Sequence, residues 1–372
     1  MLDKKTKLWI LIGILIIITI VLINFSMKNQ EEVIEIGVIL PLSGNAAVYG
    51  LSAKEGIELA LQDLDNKYQL IYEDSQCNSE KAVSASQKLI NIDNVKMIIG
   101  HICSSAAMAV APIAEQNKVI LLSPGASTPE LTNAGDYIFR NRQSISGEVS
   151  KVAEVSHNDF NINKMGIMYV NNDYGVGAKN IFKKKFEELN GEILSIESYE
   201  QDSTDFRTPL TKIKQVRPEA IFLAGYIKES AIIIKQATEL NLETQFFSTM
   251  GVEGQELLDV AGPAAEGIIY TAPSFDVKSN ESSIREFINK YKVKYGKEPT
   301  YIFAATGYDA LKILDLGIEK CKTDTNCIKN RLYSIENYPG VSGLTTFDEY
   351  GDVNKPVMIK TVKNGQFVPY EE

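Results

Sequence analysis

Histidine is scarce in this 372-residue chain, which has only His101 and His157. No CxxC or HExxH spacing joins them to other donors, which speaks against a zinc site. GxSxG, a P-loop and a GxGxxG after the first apolar run are also missing, so the common hydrolase and nucleotide-binding motifs are absent. Basic residues are too few: 38 Lys and Arg face 48 Asp and Glu, a net charge of -10. A phosphate backbone needs a basic footprint, so nucleic acid is not an expected partner, nor is anionic lipid for the folded body. No Pro- or Ser-rich linker divides the chain, and no cofactor or metal is expected.

What is present is globular. The chain is 44% hydrophobic and 23% charged, and its length allows two domains with real cores. Before the body stands LWILIGILIIITIVLINF, residues 8–25, with no charge. As a helix it would span roughly 27 Å, close to a hydrocarbon core. Lys4, Lys5 and Lys7 would keep residues 1–7 in the cytoplasm and place the rest outside. A cleaved signal is the alternative, although the run is long for one and no Ala-x-Ala follows it.

An exported body permits disulfides. Cys321 and Cys327 flank the short loop KTDTN and can close on each other, which leaves Cys77 with Cys103. Buried free thiols are the alternative.

From residue 33 the chain alternates. VIEIGVIL, YQLIYED, VKMIIG and VILLS read as strands separated by helices at 51–64, 79–90 and 105–117, the last carrying Pro112. A second series follows with KMGIMYV, EILSIESYE, AIFLAGY, QFFST and GIIYTAPS as strands. A long helix is predicted over 303–320, and a closing hairpin with TFDEYGD as its turn and paired strands in PVMIKTVKNGQFVP. Such alternation predicts two doubly wound parallel α/β sheets.

Ligands of open α/β sheets sit beyond the carboxyl ends of the strands. The small, polar and aromatic residues of this chain cluster there. Tyr49 follows the first strand, Ile102, Cys103 and Ser104 the third, and Gly125 and Ser127 the fourth. In the second series Tyr174, Tyr226, and Met250 with Glu253 hold equivalent places. A helix beginning near Ser105, with Ser104 as its cap, offers free N–H groups and partial positive charge to a carboxylate. Ser104 and Ser127 read equally well as plain helix caps. Asp173 or His101 could serve an enzyme, but neither histidine is spaced to form a constellation with Asp173-Tyr174.

IGVILPLSG-x5-YG, YEDSQC, IGHICSS, SPGASTPELT, NDYGVG, AGY and TTFDEYGD occur in this order between residues 36 and 370. The chain thereby resembles the type I periplasmic binding proteins, in the branch that binds leucine, isoleucine and valine for ABC transporters. The resemblance implies two lobes, 33–143 with 275–354 and 144–274 with 355–372. It implies three crossings, near Arg140–Ile145, Tyr270–Phe275 and Asp352–Val357, and a Cys77–Cys103 disulfide. It assigns a carboxylate clamp to Ser104, Ser127 and Gly125, an aromatic wall to Tyr49, Tyr174, Tyr226 and Phe303, and a side-chain pocket to Ile102 and Cys103. Amino-acid-binding relatives place an acid for the ligand's ammonium where this chain has Met250. Glu253, Asp276 and Asp309 are the candidate replacements.

The expected function is that of a non-enzymatic, membrane-anchored extracytoplasmic solute-binding protein. It would bind an apolar, for instance branched-chain, amino acid or a related carboxylate and deliver it to ABC permease subunits. A sensing receptor for a signalling partner and a binder of a non-amino organic acid or amide are the alternatives.

Overall fold

The computed structural model describes residue 9, residues 33–275, residue 277 and residues 279–370. Among them no helix is long and apolar enough to cross a membrane. The apolar run 8–25, Trp9 excepted, lies outside the described residues, as does Asp276.

The first sheet is built from β1 (Ile34–Leu40), β2 (Tyr68–Asp74), β3 (Met97–Ile99), β4 (Ile120–Ser123) and β5 (Ile138–Arg140). Its order is β2-β1-β3-β4-β5, all parallel. Helices α1 (Ala47–Asp63), α2 (Ser79–Asn91) and α3 (Ser104–Gln116) connect the strands. Both faces are covered, so β1, β3 and β4 read as near-continuous apolar runs. The start of α2 is fixed by Asn78, whose side chain accepts the Lys81 N–H.

The chain then leaves this sheet through 141–144 and enters α4 (Ile145–Asn158), with Ser144 accepting from the Ser146 N–H at its start. This helix was not foreseen; the sequence reading assigns no element between Ile145 and KMGIMYV. The second sheet follows, with β6 (Lys164–Val170), α5 (Asp173–Glu188), β7 (Glu192–Tyr199), α6 (Arg207–Val216), β8 (Ala220–Ala224), α7 (Ile227–Glu239), β9 (Gln245–Thr249), α8 (Gln255–Ala261) and β10 (Ile269–Pro273). Its parallel part runs β10-β9-β8-β6-β7.

After β10 the chain returns to the first sheet. Helices α9 (Ser282–Tyr295) and α10 (Phe303–Cys321) pack against α1. The approach of α10 is close enough that a Cβ on Gly56 would sit 1.8 Å from the Ala304 carbonyl oxygen. Helix α11 (Thr325–Tyr333) and a small hairpin of β11 (Tyr338–Gly340) and β12 (Gly343–Thr345) complete this part. A last passage, 346–356, leads to β13 (Val357–Lys363) and β14 (Gln366–Pro369), which add antiparallel strands to the edge of the second sheet. The closing hairpin therefore turns at Asn364-Gly365. TFDEYGD belongs to the passage before it, where Gly351 and Asp352 are tied to Asp348 by local hydrogen bonds.

Two of these passages are bound to each other. Arg140, fully buried, donates Nε to Asp352 Oδ1 and Nη2 to Asp352 Oδ2, both at 2.5 Å, and Nη1 to the Thr128 carbonyl at 2.7 Å. Asp309, on α10, anchors the turn of the β11–β12 hairpin: its carboxylate accepts the Val341 and Ser342 N–H groups at 2.9 and 2.8 Å. Lys355 Nζ donates to Ser342 Oγ at 2.8 Å, and burial drives its amine down to about 8. Both cysteine pairs are joined, Cys77 to Cys103 and Cys321 to Cys327, as the spacing suggested.

Candidate functional site

Strand order reverses around β1 in the first sheet and around β6 in the second. Loops leaving neighbouring strands diverge at such points and open a crevice at the carboxyl ends. The two crevices face each other. Between them lies a cavity of about 40 Å³ lined from the first sheet by Tyr49, Ile102, Ser104, Gly125, Ser127 and Phe303. Tyr174, Tyr226, Met250 and Gly251 close it from the second, and Arg142 and Ile145 stand at the passage between the sheets.

Helix α3 opens onto this cavity. It starts at Ser104 itself, and the residue in the cap position is Cys103, which makes no side-chain capping bond. The expectation that Ser104 caps the helix is thus corrected. Its hydroxyl instead accepts the N–H groups of Ser127 and Thr128, at 3.3 and 3.2 Å, and so holds the loop after β4 against the helix mouth. The first N–H groups of α3 lack intrahelical partners and carry partial positive charge. Ser127 is held from behind, its carbonyl accepting the Ile145 N–H at 2.8 Å. Gly125 must be small: a Cβ there would meet Ile102 Cα at 2.7 Å. Cys103 is buried in its disulfide and does not line the cavity.

The aromatic side chains form a connected wall. Tyr174 stacks on Tyr226 with centroids 5.4 Å apart and planes 16° from parallel. Tyr49 meets Tyr226 at 6.4 Å and Phe303 edge-on at 5.4 Å. The Tyr174 hydroxyl is hydrogen-bonded to Thr249 Oγ1 at 2.7 Å, and burial pushes its phenol up to about 12. The Tyr49 phenol is likewise raised by burial, so both stay neutral over the ordinary pH range.

The acidic candidates lie elsewhere. Glu253 follows β9 but pairs with Lys360 and borders a separate groove of about 310 Å³ near Pro273, Tyr301 and Phe367. Asp309 is committed to the turn of the β11–β12 hairpin, as described. Among the described residues no Asp or Glu lines the cavity.

Sequence reading missed Arg142. Arg142 lines the cavity, and its guanidinium ion-pairs with Glu148 of α4 and approaches Met250 Sδ with Nη2 at 3.1 Å. Both partners are buried, at 2% and 0% exposure. Burial pushes the Glu148 carboxyl up, and the Arg142 charge opposes this. The signal lay in RNRQ, where two arginines precede an apolar-periodic segment, but nothing local says which one turns inward. The enzyme candidates do not assemble. His101 is fully buried, driven down to about 3 by desolvation, and lies outside the cavity lining with Asp173.

The profile of the periplasmic binding protein family matches residues 33–366. A leucine-, isoleucine-, valine-, threonine- and alanine-binding protein of Pseudomonas aeruginosa is 28% identical over 360 residues, covering 93% of this chain and 91% of that protein. The crystal structure of a leucine binding protein from Thermotoga maritima superposes with a TM-score of 0.86 at 30% identity, over 91% of this chain and 98% of that one. A solute binding protein of an ABC transporter from R. palustris, solved with benzoate, shares the fold with a TM-score of 0.83 at 20% identity, over 91% of this chain and 95% of that one.

Proposed function

The chain belongs to the periplasmic binding protein family, in the type I branch of the Leu/Ile/Val-binding proteins, and on that footing we propose that it captures a small carboxylate-bearing solute for an ABC importer. The observation that carries this reading is the cavity: a helix mouth and the Ser127 hydroxyl on one side, an aromatic and aliphatic wall on the other. An anion finds free N–H groups at such a mouth, and a compact apolar body finds Tyr49, Ile102, Phe303 and Ile145. Amino acids and benzoate, which the named relatives bind, share this chemistry.

The solute would be enclosed by closure of two lobes, 33–143 with 275–354 against 144–274 with 355–372, about the three passages. Ser104, Ser127 and Gly125 would hold the carboxylate. Tyr49, Tyr174, Tyr226 and Phe303 would cover the body, with Ile102 beside them. The closed form would present a composite surface to permease subunits. Residues 8–25 would hold the body at the outer face of the cytoplasmic membrane. No group transfer is assigned: among the described residues the cavity sets no histidine or carboxylate base beside its hydroxyls. A thermal-shift screen over amino acids, aromatic acids, aliphatic acids and amides tests the reading, since binding to the folded state raises the unfolding temperature by mass action. Carboxylates are expected to shift it; a response confined to uncharged amides would overturn the assignment.

A further inference from the structure

Arg142 is the sole cationic side chain lining the cavity among the described residues, and no carboxylate shares that lining. Its partner Glu148 does not line the cavity, so Arg142 is the charged residue that a solute there would meet. The guanidinium is also under-used. Nη2 reaches Glu148 and the Met250 sulfur, Nη1 reaches the Gln143 carbonyl at 3.1 Å, and Nε has no partner among the described residues. A thioether is a weak acceptor, so much of the five-donor capacity of this group remains open.

We infer that the cavity selects a carboxylic acid lacking an ammonium group, and that Arg142 determines this specificity by donating to a second oxygen of the solute. The inference rests on the carboxylate reading above and narrows it. An ammonium at Met250 would face a guanidinium, and an unpaired buried charge is costly. An oxo or hydroxyl oxygen at the same place would satisfy a donor that is otherwise buried unpaired. The Arg142–Glu148 pair is neutral as a unit, so the solute's carboxylate remains the one net charge and sits at the α3 mouth. Met250 fits this arrangement: an acid in its place would draw Arg142 away from the solute.

The test uses one carbon skeleton in three forms, leucine, 4-methyl-2-oxopentanoate and 4-methylpentanoate, titrated calorimetrically into the full chain. The oxo acid is expected to bind best and leucine worst, with oxo acid over leucine by about tenfold or more, the scale of one charge-assisted hydrogen bond. In Arg142→Gln the Glu148 carboxylate loses its cation, and the ratio should move at least about tenfold toward leucine. The double variant Arg142→Gln/Glu148→Gln carries neither charge and should bind the oxo acid and leucine with similar affinity. If the single variant does not fold, wild type and the double variant still decide. Tighter binding of leucine than of the oxo acid by the wild type would overturn the inference and leave the carboxylate reading intact. Binding of none of the three acids would overturn the inference, and the thermal-shift screen then decides separately whether the carboxylate reading falls with it.

Discussion

The Tyr49 hydroxyl bridges the two sheets: it donates to the Gly251 carbonyl at 3.1 Å and accepts the Ile227 N–H at 2.9 Å. Tyr49 sits on α1, and both partners follow strands of the second sheet. These bonds join the two crevices and, on the proposed lobe closure, would belong to the closed state. Tyr49→Phe removes both and leaves a buried N–H unpaired, a cost of about 1–3 kcal/mol. Solute affinity should fall by roughly tenfold, while urea unfolding of the solute-free protein changes little. An unchanged calorimetric affinity would mean that Tyr49 plays no part in closure.

Ser127→Ala should be a separable binding variant. The hydroxyl lies at the cavity wall, and the backbone of Ser127 is fixed independently through Ile145 and Ser104. Loss of a hydrogen bond to a charged carboxylate corresponds to about 1.5–3 kcal/mol of affinity. Calorimetry beside a thermal melt checks it: the melt stays and the affinity falls.

Glu253→Gln distinguishes the residue's place in the sequence from its place in the fold. The carboxylate pairs with Lys360 beside Tyr270, away from the cavity. The ratio of leucine to 4-methyl-2-oxopentanoate affinities should be the same as in wild type. A shift of that ratio would show that Glu253 reaches the solute after all.

The two disulfides should differ in weight. Their loops have sequence separations of 26 and 6. Loop-closure entropy alone gives about 3–4 kcal/mol for Cys77–Cys103 and about 2 kcal/mol for Cys321–Cys327. Replacing each pair by alanine and measuring urea unfolding should show the larger loss for the first. The first variant should also bind solute less well, because Cys103 stands at the cap position of α3.

Alkaline pH should unfold the protein. Tyr49, Tyr174 and Tyr226 all have phenols raised by burial above the ordinary value of 10.0. A group raised on folding contributes its full stability below the unfolded pKa and loses it as pH rises beyond. Stability should therefore hold up to about pH 10 and decline above it. Phenolate absorbance followed with circular dichroism should show these tyrosines ionising together with unfolding. Their titration near pH 10 in a folded protein would contradict their burial.

Much of the architecture was legible because apolar runs such as IEIGVIL and AIFLA have few alternatives to buried parallel strands. The rim followed from the rule that ligands gather at strand ends: Tyr49, Ser104, Ser127 and Tyr226, each placed there by the sequence, line one cavity from its two sides. Arg142 was not legible. Which arginine of RNRQ turns into the cavity depends on Asp352, 212 residues beyond Arg140, which claims that first arginine for the passage at 346–356. Helix α4 was hidden for a related reason. Its buried face includes Glu148, and that position counts as polar until its partner is known. The closing hairpin was drawn too long because TFDEYGD looks like a turn, and it is one, but it closes on Asp348 and not on a partner strand.

The most direct measurement is a calorimetric titration of the full chain with 4-methyl-2-oxopentanoate and with its methyl ester. The ester keeps the body and the second oxygen and removes the charge. The free acid is expected to bind and the ester to be weaker by about 1.5 kcal/mol or more, since the α3 mouth and Ser127 hold an anion. Equal binding of acid and ester would contradict a cavity built around a carboxylate.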